Sequence, residues 1–161
     1  MLTLSSPLDM HVHLRQDAML RFTAPYTARD FAAAVIMPNL QPPVTTLEQL
    51  LDYRQAILHA AGHPFEPLMT LFFRDYSLAE LEAARPHIIG IKLYPAGMTT
   101  NSEAGLADPV LAGRMLGHMA ELDIPLLIHG ESRGFVLDRE NLFLPVVDGW
   151  AREHPRLRIV L

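Results

Sequence analysis

The chain has no cysteine among its 161 residues. Disulfides and thiolate metal sites are therefore excluded, and any metal must be held by histidine, carboxylate or a less common donor. It also lacks a basic run. Thirteen Lys and Arg against eighteen Asp and Glu leave a formal charge of −5, which argues against a nucleic-acid surface. No apolar stretch approaches membrane-spanning length. The opening residues, Met1 to Ser6, have neither a basic region nor a long apolar core, so they are no secretory signal. A soluble, cytoplasmic protein is the expectation. There is no internal repeat, linker or low-complexity segment, and half the residues are apolar, enough for one domain with a real core.

What is present is alternation. Short apolar runs read as strands: Leu8 to Leu14, Ala33 to Met37, Pro67 to Phe73, Ile88 to Tyr94, Ile124 to His129 and Leu157 to Leu161. Helical patterns separate most of them. Thr45-Thr46-Leu47-Glu48 and Ser77-Leu78-Ala79-Glu80 read as capping boxes. In the first helix Leu47, Leu50, Leu51, Ile57, Leu58 and Ala61 mark one face, and Gly62 suits its stop. Asp108-Pro109 is a cap followed by proline for a helix to about Asp123, and a last helix covers Leu144 to Glu153. Nearly uniform apolar strands alternating with helices predict a parallel sheet, open or closed into a barrel. A nucleotide-binding open sheet would carry a glycine-rich turn after its first strand, and none is present. Polar residues gather instead at the C-terminal ends of the strands, the rim where barrel enzymes build their sites.

His11 and His13 stand two residues apart in the first strand, so both face one side, roughly 6–7 Å apart along the backbone. Two imidazoles so placed can converge on one metal ion, with Arg15 one step further on the same face. Two exposed loop histidines would give the same spacing. Lys92 sits between Ile91 and Leu93. A lysine there either snorkels to the strand end or loses its charge, because burial disfavours the ammonium. A neutral amine can form a Schiff base, or take up carbon dioxide to become an anionic carbamate ligand. His129 ends an apolar strand, as a packed core residue or as a third imidazole ligand. Glu131 is a neighbour able to orient it or a solvated loop acid. Asn39 is a turn residue or an amide that holds a small ligand's carboxylate or carbonyl. Pro95 to Asp108 is a polar loop, a plain connection or a lid. His59, His63, His87, His118 and His154 fall in helices or loops without matching partners and read as surface or structural.

Six blocks taken together resemble dihydroorotase, the cyclic amidase of pyrimidine synthesis, in its shorter bacterial type. They are Asp9 to Arg15, Met37-Pro38-Asn39-Leu40, Pro42 to Thr46, Lys92 to Ala96, Thr99-Thr100-Asn101-Ser102 and His129-Gly130-Glu131, in family order. The His-x-His block with a later lysine and histidine is common to the wider amidohydrolase superfamily. The Met-Pro-Asn and Lys-Leu-Tyr-Pro blocks are more specific. The resemblance implies an α/β fold, a TIM-type (β/α)8 barrel, here with only its first six strands. It implies two zinc ions at the rim: His11 and His13 on the first, His129 on the second, and carboxylated Lys92 bridging both. Arg15 and Asn39 would grip the substrate carboxylate, with Thr99, Thr100 and His129 also in contact with substrate. The implied reaction is reversible closure of N-carbamoyl-L-aspartate to dihydroorotate, and the implied assembly at full length is a homodimer. The family's further histidine after the sixth strand and its catalytic aspartate at the eighth lie past Leu161. Residues 1–161 thus read as one hydrolase barrel domain, truncated at the sixth strand and with no catalytic acid–base of its own. Two alternatives stay open: another cyclic amidase of the allantoinase or hydantoinase kind, and an inactive or partner-dependent barrel fragment.

Overall fold

The computed structural model describes residues 4–161. Six strands, β1 (Leu8–Val12), β2 (Ala33–Ile36), β3 (Glu66–Phe72), β4 (Gly90–Leu93), β5 (Leu126–Ile128) and β6 (Ile159–Val160), form one sheet in the order β1-β2-β3-β4-β5-β6. Every neighbouring pair is parallel. Sequential order with helical crossovers curls the sheet one way, as in a barrel; a doubly wound sheet would reverse its order. The result is the first six strands of a TIM-type barrel, a curled half-barrel with helices. Helices α1 (Asp17–Asp30), α2 (Leu47–Ala61), α3 (Leu78–Ala84), α4 (Gly113–Glu121) and α5 (Arg139–Glu153) make the crossovers. The core between sheet and helices holds Leu14, Leu50, Ile57, Leu81, Ile91, Leu93 and Leu116, all fully buried. Among the described residues no helix is long and apolar enough to cross a membrane.

The elements depart from the sequence reading in several places, each with a local cause. The helix α1 is absent from that reading. Its buried stripe is Leu20, Ala24 and Ala28, with two alanines supplying little contrast, and Pro25 lies in its interior, where proline normally breaks a helix. The capping box of α2 sits one residue later than Thr45 and Glu48. The Thr46 hydroxyl accepts from the Gln49 backbone, and the Gln49 side chain accepts from the Thr46 N–H. Glu48 is thereby freed to face solvent. Leu51 is exposed, and Tyr53 takes a core position on that helix. The Ser77/Glu80 box and the left-handed stop at Gly62 form as expected. Asp108 caps a short 3-10 turn, Pro109–Ala112, which leads into α4. The last helix begins at Arg139 rather than Leu144, carrying Pro145 inside it. Most strands are shorter than the apolar runs, β4 starting at Gly90 and β5 at Leu126, whereas β3 starts one residue before its run, at Glu66.

Candidate functional site

The strand register sets the rim. Val12 of β1 pairs with Ile36, Phe72 with Lys92, and Leu93 with Ile128. The ladder continues one step through His129, whose N–H donates to the Leu93 carbonyl at 2.9 Å. His13, Asn39 and His129 therefore lie just past the C-terminal ends of β1, β2 and β5, with Lys92 inside β4 between them.

β1 is not a plain strand. Between Asp9 and Val12 it spends three steps against two on β2, a β-bulge. The Asp9 carboxylate accepts from the His11 N–H at 3.0 Å across this irregularity. Bulges re-aim side chains beside functional sites, and here the two imidazoles meet, with Nε2 of His11 and Nε2 of His13 3.2 Å apart. Arg15 departs from the sequence expectation of a third residue on the same strand face. The strand has ended, and Arg15 has a φ of 62°, so simple alternation no longer applies to it. Its guanidinium still reaches the site: its charge acts on His13, Tyr53 and Tyr94, and one of its terminal nitrogens is buried without a partner. The Tyr53 hydroxyl donates to the Arg15 carbonyl at 2.8 Å and steadies this turn.

Lys92 is 3% exposed and makes no ion pair among the described residues. Burial pulls its pKa down to about 8. Roughly a tenth of the amine is then neutral at pH 7, a nucleophile where an exposed lysine would be almost wholly ammonium. The imidazoles are biased the same way. Burial, then the Arg15 and His11 charges, take His13 down to about 4. Burial and the Lys92 charge lower His11 and His129, the latter opposed by Glu131. All three are neutral near pH 7 and carry free lone pairs.

His11, Lys92 and His129 line a cavity of about 500 Å³ that also takes in Glu131 and Glu140, with Met10, Phe143, Val160 and Leu161 as apolar wall. Glu131 Oε1 lies 3.6 Å from His129 Nε2, and Arg139 holds the other carboxylate oxygen at 3.7 Å. The side chains of Glu131 and Glu140 reach this site together with the start of α5, which sequence reasoning placed later in the chain. None of His59, His63, His87, His118 or His154 lines the cavity.

Asn39 is 1% exposed. Its Oδ1 accepts from the Tyr94 hydroxyl at 3.0 Å, and its Nδ2 donates to the Thr100 carbonyl at 2.8 Å. Asn101 Nδ2 returns a bond to the Asn39 carbonyl at 3.1 Å. Ser102, fully buried, closes the turn by accepting from the Thr99 N–H and donating to the Thr99 carbonyl. The loop re-enters at Leu106, whose N–H donates to the Tyr94 carbonyl at 2.8 Å. Only glycine fits at 105, since a Cβ there would collide with the Tyr94 carbonyl. Tyr94 and Ser102 are the residues sequence reasoning passed over, and the Lys-Leu-Tyr-Pro block was the available signal for the first.

Nitrogen ligands of one tetrahedral zinc, each about 2.0–2.1 Å from it, stand about 3.3 Å apart. The His11–His13 pair has that spacing, and a partnerless buried Nε2 on His129 adds a further donor across the cavity. These donors fit a metal. They do not complete a coordination shell: among the described residues no group of three or more His, Cys, Asp or Glu side chains is close enough to hold an ion by itself. His11 and His13 form the close imidazole pair, and His129 and Lys92 line the same cavity as His11 from β5 and β4.

No family model matches the chain. Over 99% of its length it is 49% identical to a dihydroorotase of Halorhodospira halophila and 46% identical to one of Alkalilimnicola ehrlichii, covering 49% of each. The crystal structure of a dihydroorotase from Campylobacter jejuni superposes with a TM-score of 0.93 at 49% identity, over 99% of this chain and 50% of that one. The Saccharomyces cerevisiae dihydroorotase crystallised with 5-fluoroorotic acid gives 0.84 at 36% identity, over 96% and 46%. An L-hydantoinase from Arthrobacter aurescens shares the fold, with a TM-score of 0.74 at 15% identity. The chain spans about half the length of the curated relatives it matches. Sequence and backbone agree that the chain is similar, over nearly its whole length, to the N-terminal portion of longer proteins named dihydroorotase.

Proposed function

We propose that this chain carries the N-terminal part of the site of a zinc-dependent cyclic amidohydrolase that interconverts N-carbamoyl-L-aspartate and dihydroorotate in pyrimidine biosynthesis. The observation that carries the reading is the convergence of His11 and His13 on one point, Nε2 to Nε2 3.2 Å, with Lys92 and His129 on the same cavity. In this reading His11 and His13 would hold one zinc, His129 would hold a second, and Lys92, once carboxylated, would supply an anionic oxygen ligand to the pair. When bound, the zinc pair lowers the pKa of a water and polarises the amide carbonyl. The residues of the chain supply the rest. Low imidazole pKa values keep His11, His13 and His129 deprotonated and able to ligate at neutral pH. The partly neutral amine of Lys92 has the lone pair that carboxylation requires. Arg15 grips the substrate carboxylate through its planar fork, Asn39 adds an amide donor, and Thr99 and Thr100 close over the ring from the rim loop. His129 lies against the substrate as well as the metal.

Residues 1–161 are proposed to form one hydrolase barrel domain that stops at the sixth strand. The enzyme as a whole is proposed to be a cytoplasmic homodimer acting on a small molecule.

The test takes the native protein through intact mass, zinc analysis and turnover of dihydroorotate, hydantoin and allantoin on one sample. Zinc at the site and selective turnover of dihydroorotate support the reading. Preference for hydantoin or allantoin replaces it with another cyclic amidase. No turnover of any of them with zinc and bicarbonate supplied leaves an inactive or partner-dependent barrel fragment.

A further inference from the structure

One buried amide is among the groups that fasten the rim loop Pro95–Asp108 to the barrel. Asn39 Nδ2 donates to the Thr100 carbonyl, which can only accept, and Asn39 Oδ1 accepts from the Tyr94 hydroxyl. The sense of the amide is therefore fixed from both ends. Tyr94 itself is rigid. It is 1% exposed, and its ring stacks on Phe72 with centroids 5.3 Å apart.

We propose that Tyr94 is a positioning residue: by holding Oδ1 of Asn39 it turns the amide's NH2 outward to Thr100 and so fixes the rim loop against the end of β2. Tyr94 acts through Asn39 and not on a ligand. Without the hydroxyl, Oδ1 keeps only the nearby His13 ring as a neighbouring donor, and a buried acceptor that has lost its hydrogen-bonded partner drives local rearrangement. The amide rotates or withdraws, and the Thr100 contact weakens with it.

The experiment measures backbone amide exchange in the full chain. The reporters are Ala96, Gly97 and Leu106, whose N–H groups are bonded within the loop or to Tyr94, and Ile91 in β4 monitors global opening. Tyr94→Phe is expected to speed the loop amides roughly three- to tenfold, the worth of one net hydrogen bond, with Ile91 unchanged. Asn39→Asp keeps an acceptor for Tyr94 but sets a carboxylate oxygen against the Thr100 carbonyl, and speeds the loop at least as much. Adding Tyr94→Phe to Asn39→Asp changes loop exchange by less than about twofold, because both act on one contact. Asn39→Ser replaces the second arm if Asn39→Asp does not fold. Unchanged loop exchange in Tyr94→Phe overturns the proposal, as does equal acceleration by Tyr94→Phe in both backgrounds, which a merely structural tyrosine would give. Calorimetric titration with dihydroorotate on the same proteins separates the two readings. Absent binding counts against the proposed function, and the exchange cycle judges Tyr94 regardless.

Discussion

Replacing Lys92 with methionine should stabilise the metal-free protein, although it removes a residue proposed to be essential. The side chain is 3% exposed, lies between Ile91 and Leu93, and has no carboxylate partner. Its pKa falls from 10.5 to about 8, with burial the cause. That drop corresponds to ~3 kcal/mol. Because the folded pKa lies below the unfolded one, the unfolded chain binds more protons between them, and stability rises with pH across that window. Below about pH 8 the whole cost is present; above about 10.5 it vanishes. Methionine keeps the unbranched stem and carries no charge, so Lys92→Met should gain up to ~3 kcal/mol at pH 7, less whatever the repacking of the terminal atoms costs. Urea titrations with chelator and without bicarbonate, at pH 7 and pH 9.5, read the effect directly. A gain of 2–3 kcal/mol moves the midpoint by about 1 M at a typical urea slope. Wild type should be more stable at pH 9.5 than at pH 7, and the variant should lose most of that difference. A variant less stable than wild type at pH 7, or one with the same pH dependence, would refute burial as the source of the shift.

Three further outcomes follow from the same geometry. His13→Ala should weaken zinc binding at least tenfold, measured by competition with a chromophoric chelator, because it removes one half of the close His11–His13 imidazole pair; equal affinity would place the ion elsewhere. Thr46→Ala should lower stability by about 1 kcal/mol in urea, the usual cost of an N-cap, and Glu48→Ala should be nearly silent, since the box closes through Gln49. Gly105→Ala should drive a Cβ into the Tyr94 and Ser102 carbonyls, displace the rim loop, and open Pro95–Asp108 to proteolysis under conditions that leave wild type intact.

The parallel strands and the polar residues at their ends were legible because both rest on short-range patterns. An apolar run ending in a polar residue marks a strand and its rim end at once, and Asn39, Lys92 and His129 lie at or near such ends. Dihedral-level features were not legible. The bulge in β1 and the left-handed backbone at Arg15 leave no mark on hydrophobic periodicity, yet they decide where His11, His13 and Arg15 point. The irregularity in β1 falls between Asp9 and Val12 and so includes His11, while the two imidazoles still meet as alternation predicts. The helix α1 escaped notice because alanine at two of three buried positions gives almost no contrast, and Pro25 argues against a helix that tertiary packing nonetheless sustains. The start of α5 was missed for the complementary reason: Pro145 reads as a first-turn residue, whereas it sits well inside.

The polarity of the cavity follows from the same register. A parallel sheet sends all its strand ends to one rim, so residues that are distant in sequence share one edge without any long-range signal between them. His11 and Lys92 reach the cavity from β1 and β4, and His129 from the end of β5. On the far wall stand Met10, Val160 and Leu161, exposed apolar residues of the two outermost strands, each paired on one side only. Unpaired strand edges of this kind are a liability unless something covers them. The polar half of the cavity is therefore assembled by strands already in place, and the apolar half faces the gap between β1 and β6. Any group that closes the gap against Met10 and Val160 also removes water from beside His11 and His129. That would strengthen every electrostatic interaction at the proposed metal donors.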